Sequence, residues 1–190
     1  MLSRLVSTMK QSPSEATSTA QEEFSRLLLL AHYSSLRDQC VNVPELLEIK
    51  AKLCVSLLRY IGDIPADKAF YEAGLACKEV KWLSLASVFW NRFLDISDMM
   101  EDDSSAYLDN TDFVGSDIPY DFAMPTESSV GDQEREDVRN WVLAASIDQS
   151  HDAVCYCISY CYNISLTLPS YVIDAEIFSY FLIFLFCFSH

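Results

Sequence analysis

The chain has 190 residues, with 13 Lys and Arg against 28 Asp and Glu, so its formal net charge is −15. This length suffices for one domain with a buried core and is too short for several ordinary domains. The acidic balance argues against DNA or RNA as partners, because phosphate binding needs clustered Lys and Arg. With only 4 Gly and no Gly-rich phosphate motif, a nucleotide site is not indicated either.

Charge divides the chain into three parts. Residues 1–92 carry 11 basic and 10 acidic side chains, whereas residues 93–134 carry 12 acidic side chains and no Lys or Arg. Residues 135–190 have two Arg, at 135 and 139, against 6 acids. We therefore expect a mixed-charge body, an acidic segment and a tail of different character.

The first hairpin is predicted from helix start and stop signals. Residues 1–19 are polar and rich in small side chains, which indicates a disordered lead-in, and Thr19 with Glu22 has the spacing of a helix-capping pair. A helix should thus begin near Ala20 and end around residues 40–42, where its apolar spacing stops. Pro44 suits the first turn of a second helix, which should run to Gly62.

The second hairpin combines a small-residue helix with an aromatic one. Pro65 should start the third helix, whose apolar face is rich in Ala and Gly, and the fourth helix supplies large side chains to fill the space. We expect Ala73 and Gly74 to lie against the aromatic face formed by Trp82, Phe89 and Phe93. The residues proposed to pack these two helices together are Ala69, Phe70, Ala73, Gly74, Trp82, Phe89 and Phe93.

These patterns predict an all-α fold of antiparallel helical hairpins, similar to a tetratricopeptide-like solenoid. The hairpins should occupy residues 20–98. An acidic linker, mobile and open to protease, should follow at residues 99–133, and a further helix at residues 134–149. Residues 150–190 read as an irregular apolar tail rich in Cys and Phe. The spacing of about 44 residues between odd helices leaves the type of repeat undecided.

No arrangement of residues typical of an active site emerges, so the chain is not expected to be an enzyme or to hold a cofactor. Cys40, Cys54 and Cys77 fall singly in apolar helical patterns and should be reduced core thiols. One cluster could ligate zinc, but its spacing lacks the usual C-x2-C knuckle, and a metal site is the lesser interpretation. That cluster consists of His151, Cys155, Cys157 and Cys161.

The apolar end of the chain suggests one alternative. Residues 177–188 form a run of 12 residues, all apolar or aromatic except Ser179. A helix needs about 20 apolar residues to cross a bilayer. Membrane contact is therefore not the main expectation. A tail-anchored, membrane-associated helical adaptor, attached through residues 171–188, remains the alternative function.

Three distinctive sequence segments point to a family. They are DKAFYEAGLACKEVKW at residues 67–82, NRFLDISD at residues 91–98 and DIPYDFAMP at residues 117–125. Over about residues 20–149 the chain resembles the C-terminal part of the intraflagellar transport protein 172 family. The resemblance implies a helical solenoid that works as a non-enzymatic scaffold in ciliary transport, with other subunits of the transport complex as its partners.

The resemblance also carries expectations about location and extent. It implies a role in cilium assembly and maintenance, in the cilium and in the cytoplasm around the basal body. The family has N-terminal propellers and a long solenoid that this chain lacks, so we expect a fragment. The match ends after Gln149, and residues 150–190 resemble translated intron or an aberrant splice form rather than the small C-terminal domain of the family.

Overall fold

The computed structural model describes residues 15–101 and 108–148, and all of these belong to one compact unit. Every regular element among them is a helix, and no strand occurs in these two ranges. The all-α prediction is therefore confirmed. The expected lead-in is described only from Glu15, and the expected tail at residues 150–190 lies outside the described residues.

Five α-helices and three short 3-10 turns make up the described fold. The α-helices are α1 (Glu15–Cys40), α2 (Leu47–Leu57), α3 (Ala66–Glu79), α4 (Leu83–Glu101) and α5 (Asp132–Asp148). The 3-10 turns are Pro44–Leu46, Leu58–Tyr60 and Thr111–Phe113. The first two of these turns extend α2 at its two ends, so that the predicted second helix is present but tightened where it begins and ends.

The connections between the helices contain either a proline or a residue in the left-handed backbone conformation. Pro44 opens the turn before α2, and Pro65 caps α3, because proline needs no hydrogen-bond partner for its nitrogen there. At the end of α3 the amide of Trp82 donates to the Cys77 carbonyl at 2.9 Å, and Lys81 has a φ of 66°. This closure is the Schellman motif, with lysine in the position that glycine usually occupies.

Each helix packs against the next one in the chain, and the largest contact is between α3 and α4. Because α1 and α2, and likewise α3 and α4, are joined by short connections, the pairs are antiparallel hairpins. Ion pairs link the two hairpins: Arg37 Nη1 lies 2.6 Å from Glu72 Oε2, and Lys50 Nζ lies 2.7 Å from Glu79 Oε2. The result is the stacked-hairpin geometry of a helical solenoid.

Several predicted boundaries differ from the structure. Helix α1 begins at Glu15 rather than near Ala20, so Thr19 lies inside the helix and does not cap it. No Gly or Pro interrupts residues 15–19, and the helix continues back through them. Helix α4 continues to Glu101, beyond the predicted end at residue 98, and α5 begins two residues early at Asp132.

The expectation that the acidic segment is mobile and free of the helices is wrong for residues 108–131. Phe113 and Ile118 within it are buried, and only one 3-10 turn breaks its irregular path. Burial of these apolar side chains against the helices outweighs the repulsion among the acidic residues of the segment. We call residues 108–131 the acidic strap.

Candidate interaction surface

The interface between α3 and α4 contains most of the residues that the sequence analysis proposed for helix packing. Five of the proposed packing residues are buried between the hairpin helices, and Gly74 is buried with them. The five are Ala69, Phe70, Ala73, Phe89 and Phe93. Trp82 lies in the connection between α3 and α4 and is only half-buried.

The side chain that covers Gly74 is Trp90, which the sequence analysis did not name. A Cβ added at Gly74 would lie 2.5 Å from Trp90 Nε1 and 2.8 Å from Trp90 Cγ. The same Nε1 donates a hydrogen bond to the Tyr71 carbonyl at 3.2 Å, which holds the indole across α3. The absence of a side chain at Gly74 thus leaves room for the flat indole of Trp90.

Phe113 attaches the acidic strap to the hairpin. Its ring centroid lies 5.7 Å from that of Phe70, edge-on, and 6.5 Å from that of Phe89, stacked. The guanidinium carbon of Arg92 lies 4.7 Å from the centre of the same ring, within the range of a cation–π contact. An aromatic residue of an irregular segment therefore completes the core of α3 and α4.

Arg92 is a buried cation, only 3% exposed, that points at the strap. Its Nη2 donates to the Asp109 carbonyl at 2.6 Å, while Nη1 has no hydrogen-bond partner among the described residues. Burial lowers the pKa of Arg92, an effect that the carboxylates of Asp95, Asp112 and Asp109 oppose in part. Carboxylates of both α4 (Asp95) and the acidic strap (Asp109 and Asp112) thus favour the charged form of this buried arginine.

Further polar contacts hold the strap along its length. Arg59 forms an ion pair with Asp117, and the Tyr120 hydroxyl donates to the Phe113 carbonyl at 2.8 Å. Near its end the amide of Ser129 donates to Asp67 Oδ2 at 2.6 Å. The strap therefore lies on the hairpins from residue 109 to residue 129.

Helix α5 packs against α4. Trp141 meets Trp90 edge-to-face with centroids 4.8 Å apart, and Lys78 Nζ lies 5.2 Å from the Trp90 ring. Arg139 Nη2 lies 2.8 Å from Asp98 Oδ1, and Arg135 pairs with Glu101. The two arginines that follow the acidic segment thus form ion pairs with carboxylates near the end of α4.

A run of apolar side chains on α1 is only partly buried. Residues 27–30 of α1 are four consecutive leucines, and all four are only partly buried. Four consecutive residues span slightly more than one helical turn, so these leucines point in all directions around α1. Helix α2 can cover only one side of that turn, and apolar surface is left on the other.

Chemistry other than packing is not evident in the described residues. Among residues 15–101 and 108–148, no group of three His, Cys, Asp or Glu side chains is placed to hold a metal ion. No helix within the same ranges is long and apolar enough to span a bilayer. The zinc cluster from His151 to Cys161 and the tail-anchor residues 171–188 lie outside the described residues.

Three cysteine thiols lie in the packed core. Cys40, Cys54 and Cys77 are buried, as the sequence analysis expected, and form no disulfide within the described residues. Burial raises the pKa of the Cys54 thiol to about 12, from an ordinary value of 9.0. Such a thiol stays protonated at neutral pH and does not act as a nucleophile.

The comparison with known proteins decides the family. No protein-family model matches the chain. Over 141 residues, 74% of the chain, it is 47% identical to the Rattus norvegicus and Homo sapiens proteins named intraflagellar transport protein 172 homolog. Over 134 residues it is 46% identical to intraflagellar transport protein 172 of Chlamydomonas reinhardtii.

The chain belongs to the intraflagellar transport protein 172 family. It spans about 8% of the length of each of these curated relatives. The predicted resemblance is therefore confirmed.

Proposed function

We propose that the chain is a non-enzymatic protein-interaction segment of the intraflagellar transport machinery, which acts in the assembly and maintenance of cilia. The observation that supports this is the 47% identity over 141 residues with relatives named for that transport. Its partners would be other subunits of the transport complex. Its place would be the cilium and the cytoplasm around the basal body.

The partner surface we propose is the leucine row, residues 27–30 of α1. All four side chains remain partly exposed, and a helix from another subunit could bury those that point away from α2. Fully burying an exposed leucine is worth about 1.5–3 kcal/mol before the cost of association is subtracted. Each of these side chains is already partly buried and would contribute less than that, so a partner helix would need further contacts beside them.

The acidic strap would contribute orientation rather than most of the affinity. It carries five acids and no Lys or Arg between residues 108 and 131. A field of one sign accelerates the approach of a basic partner and is screened by salt. The binding rate should therefore fall with ionic strength, while dissociation of the leucine contacts should change little.

Localisation and co-purification in ciliated cells test this proposal. The tagged 190-residue chain should concentrate at the cilium and its base, and should co-purify subunits of the transport complex. Replacing Leu27 and Leu30 with Asp should abolish both, because charge on the leucine row opposes its burial. The matched control is Gln39→Glu, which adds charge at an exposed position of the same helix more than two turns away from Leu30.

Two results would contradict the proposal. The first is a wild-type chain spread evenly through the cell that retains no transport subunit. The second is equal loss in the leucine variant and in the Gln39→Glu control, which would show that charge on α1, rather than the leucine row, governs binding. Circular dichroism of both variants establishes that α1 is still helical in each.

A further inference from the structure

The end of the acidic strap is fastened by one contact across 62 residues of sequence. The amide of Ser129 donates to Asp67 Oδ2 at 2.6 Å. Asp67 is 0% exposed, and its other oxygen, Oδ1, has no hydrogen-bond partner within the described ranges. This carboxylate is therefore buried with one of its oxygens satisfied by the strap alone.

The side chain of Ser129 is not used in that contact. Ser129 is exposed, and its hydroxyl makes no hydrogen bond within the part of the chain that the structure describes. The neighbouring Ser128 differs, because its hydroxyl donates to the Val130 carbonyl at 2.7 Å. Of the two adjacent serines, Ser129 is the one whose oxygen is free to react.

The surroundings of Ser129 suit an enzyme that recognises acidic sequence. Residues 126–129 and 131–134 are exposed, and 126–131 follow an irregular path. Asp132 lies three residues after the serine, with Glu134 beyond it and Glu127 two residues before. A protein kinase with a basic substrate groove would meet complementary charge on both sides of the hydroxyl.

We propose that Ser129 is a phosphorylation site and that its modification releases the acidic strap from α3. An acid-directed kinase would transfer the γ-phosphoryl group of ATP to Ser129 Oγ. The new bond joins Oγ to phosphorus, the bond from that phosphorus to the bridging oxygen breaks, and ADP leaves. The proton of the hydroxyl passes to the base of the kinase. This inference does not depend on which partner the chain binds.

Release follows from the charge that the phosphate adds. A phosphoserine carries about −1.5 to −2 charge at pH 7. The phosphate would be attached to Ser129, whose amide nitrogen lies 2.6 Å from Asp67 Oδ2. The phosphate and the carboxylate are both anionic. Because Asp67 is buried, water cannot screen this repulsion well. The strap should detach and uncover the surface of Phe70 and Phe89 that Phe113 occupies.

The test combines mass spectrometry with limited proteolysis of the purified 190-residue chain. After incubation with an acid-directed serine/threonine kinase and ATP, peptide mass spectrometry should find phosphate on Ser129. A protease that cleaves after aromatic residues should then cut the strap, at Phe113, Tyr120 or Phe122, about tenfold faster than in the unmodified chain.

Two variants separate the modification from its consequence. Ser129→Ala keeps the backbone amide, so after kinase treatment its strap should be cut at the rate of the unmodified chain. Asp67→Asn keeps an oxygen that accepts the hydrogen bond but removes the charge. Phosphorylation of Ser129 in this variant should accelerate cleavage much less than in the wild type.

Three results would overturn the inference. One is no phosphate on Ser129 while the kinase modifies a standard acidic peptide. Another is full phosphorylation of Ser129 with an unchanged rate of strap cleavage. The third is equal acceleration in Asp67→Asn and in the wild type, which would mean that repulsion by the Asp67 carboxylate plays no part. If Asp67→Asn does not fold, the comparison of wild type with Ser129→Ala decides alone.

Discussion

Gly74 on α3 lies directly under the indole of Trp90 on α4. An added Cβ would come within 2.5 Å of Nε1 and 2.8 Å of Cγ, distances at which the ring must move. The indole is also held by its hydrogen bond to the Tyr71 carbonyl and by its edge-to-face contact with Trp141. One missing methyl group therefore sets how closely α3 and α4 approach.

Gly74→Ala should destabilise the protein although alanine is the better helix former. Moving the Trp90 ring costs about 1–3 kcal/mol, which outweighs the gain of about 1 kcal/mol in helix propensity. Thermal unfolding should therefore occur at lower temperature. Gly62→Ala is the matched control, because nothing lies within 4 Å of a Cβ there, and it should be neutral or slightly stabilising.

Lys81→Gly should stabilise the connection between α3 and α4. Lys81 has a φ of 66°, in the left-handed region, where a side chain costs free energy that glycine avoids. After allowing for the greater freedom of glycine in the unfolded chain, we expect a gain of about 0.5–1 kcal/mol in chemical denaturation. Lys52→Gly within α2 should instead lose about 1 kcal/mol, and a loss at both positions would contradict this reading of Lys81.

Phe113→Ala should weaken both the core and the attachment of the strap. The ring is buried against Phe70, Phe89 and Arg92, and its removal should cost about 3 kcal/mol in the free energy of unfolding. The adjacent Val114→Ala is the control, because Val114 is 75% exposed and its truncation should cost almost nothing. Similar denaturation midpoints for the two variants would show that Phe113 is not part of the core.

Cys54 should resist alkylation in the folded protein. Burial holds the pKa of its thiol at about 12, so its thiolate fraction at pH 8 is about a thousandfold below that of an ordinary cysteine. A thiol-alkylating reagent followed by peptide mass spectrometry should label Cys54 only after denaturation. Labelling at the same rate in folded and unfolded protein would contradict the burial.

The same thiol makes stability fall at high pH. Since the folded pKa is raised above the unfolded value of 9.0, the unfolded chain loses this proton first. The contribution of Cys54 to stability is therefore complete below pH 9 and is lost as the pH rises from 9 toward 12. Cys54→Ala should show a weaker decline in this window than the wild type, measured by denaturant unfolding at each pH.

The hairpins could be predicted from the sequence because their signals are local. Pro44 and Pro65 mark helix starts, and apolar residues recur every three or four positions between them. The stripe that contains Ala73 and Gly74 also indicated a close helix contact. Which large side chain would meet Gly74 depends on the rotation of α4, and spacing alone did not distinguish Trp90 from Phe89 or Phe93.

The docking of the strap could not be predicted in the same way, because its contacts join residues far apart in sequence. The amide of Ser129 meets Asp67 across 62 positions, and in the sequence nothing distinguishes Asp67 from any other acidic residue in the first turn of a helix. One signal was present: Arg92 lies among the apolar positions of α4, between Phe89 and Ile96. A cation on a buried face requires an anionic or carbonyl partner, and the nearby acidic segment could supply one.

Hydrogen exchange along the acidic strap tests most directly whether this segment is a folded part of the domain. In the purified 190-residue chain, the amides of Phe113, Ser116 and Ser129 each donate a hydrogen bond, to Asn110, Phe113 and Asp67 respectively. We expect these amides to exchange at least about a hundredfold more slowly than in an unstructured peptide. Exchange at the unstructured rate throughout residues 108–131 would contradict the docked strap and restore a solvated linker in its place.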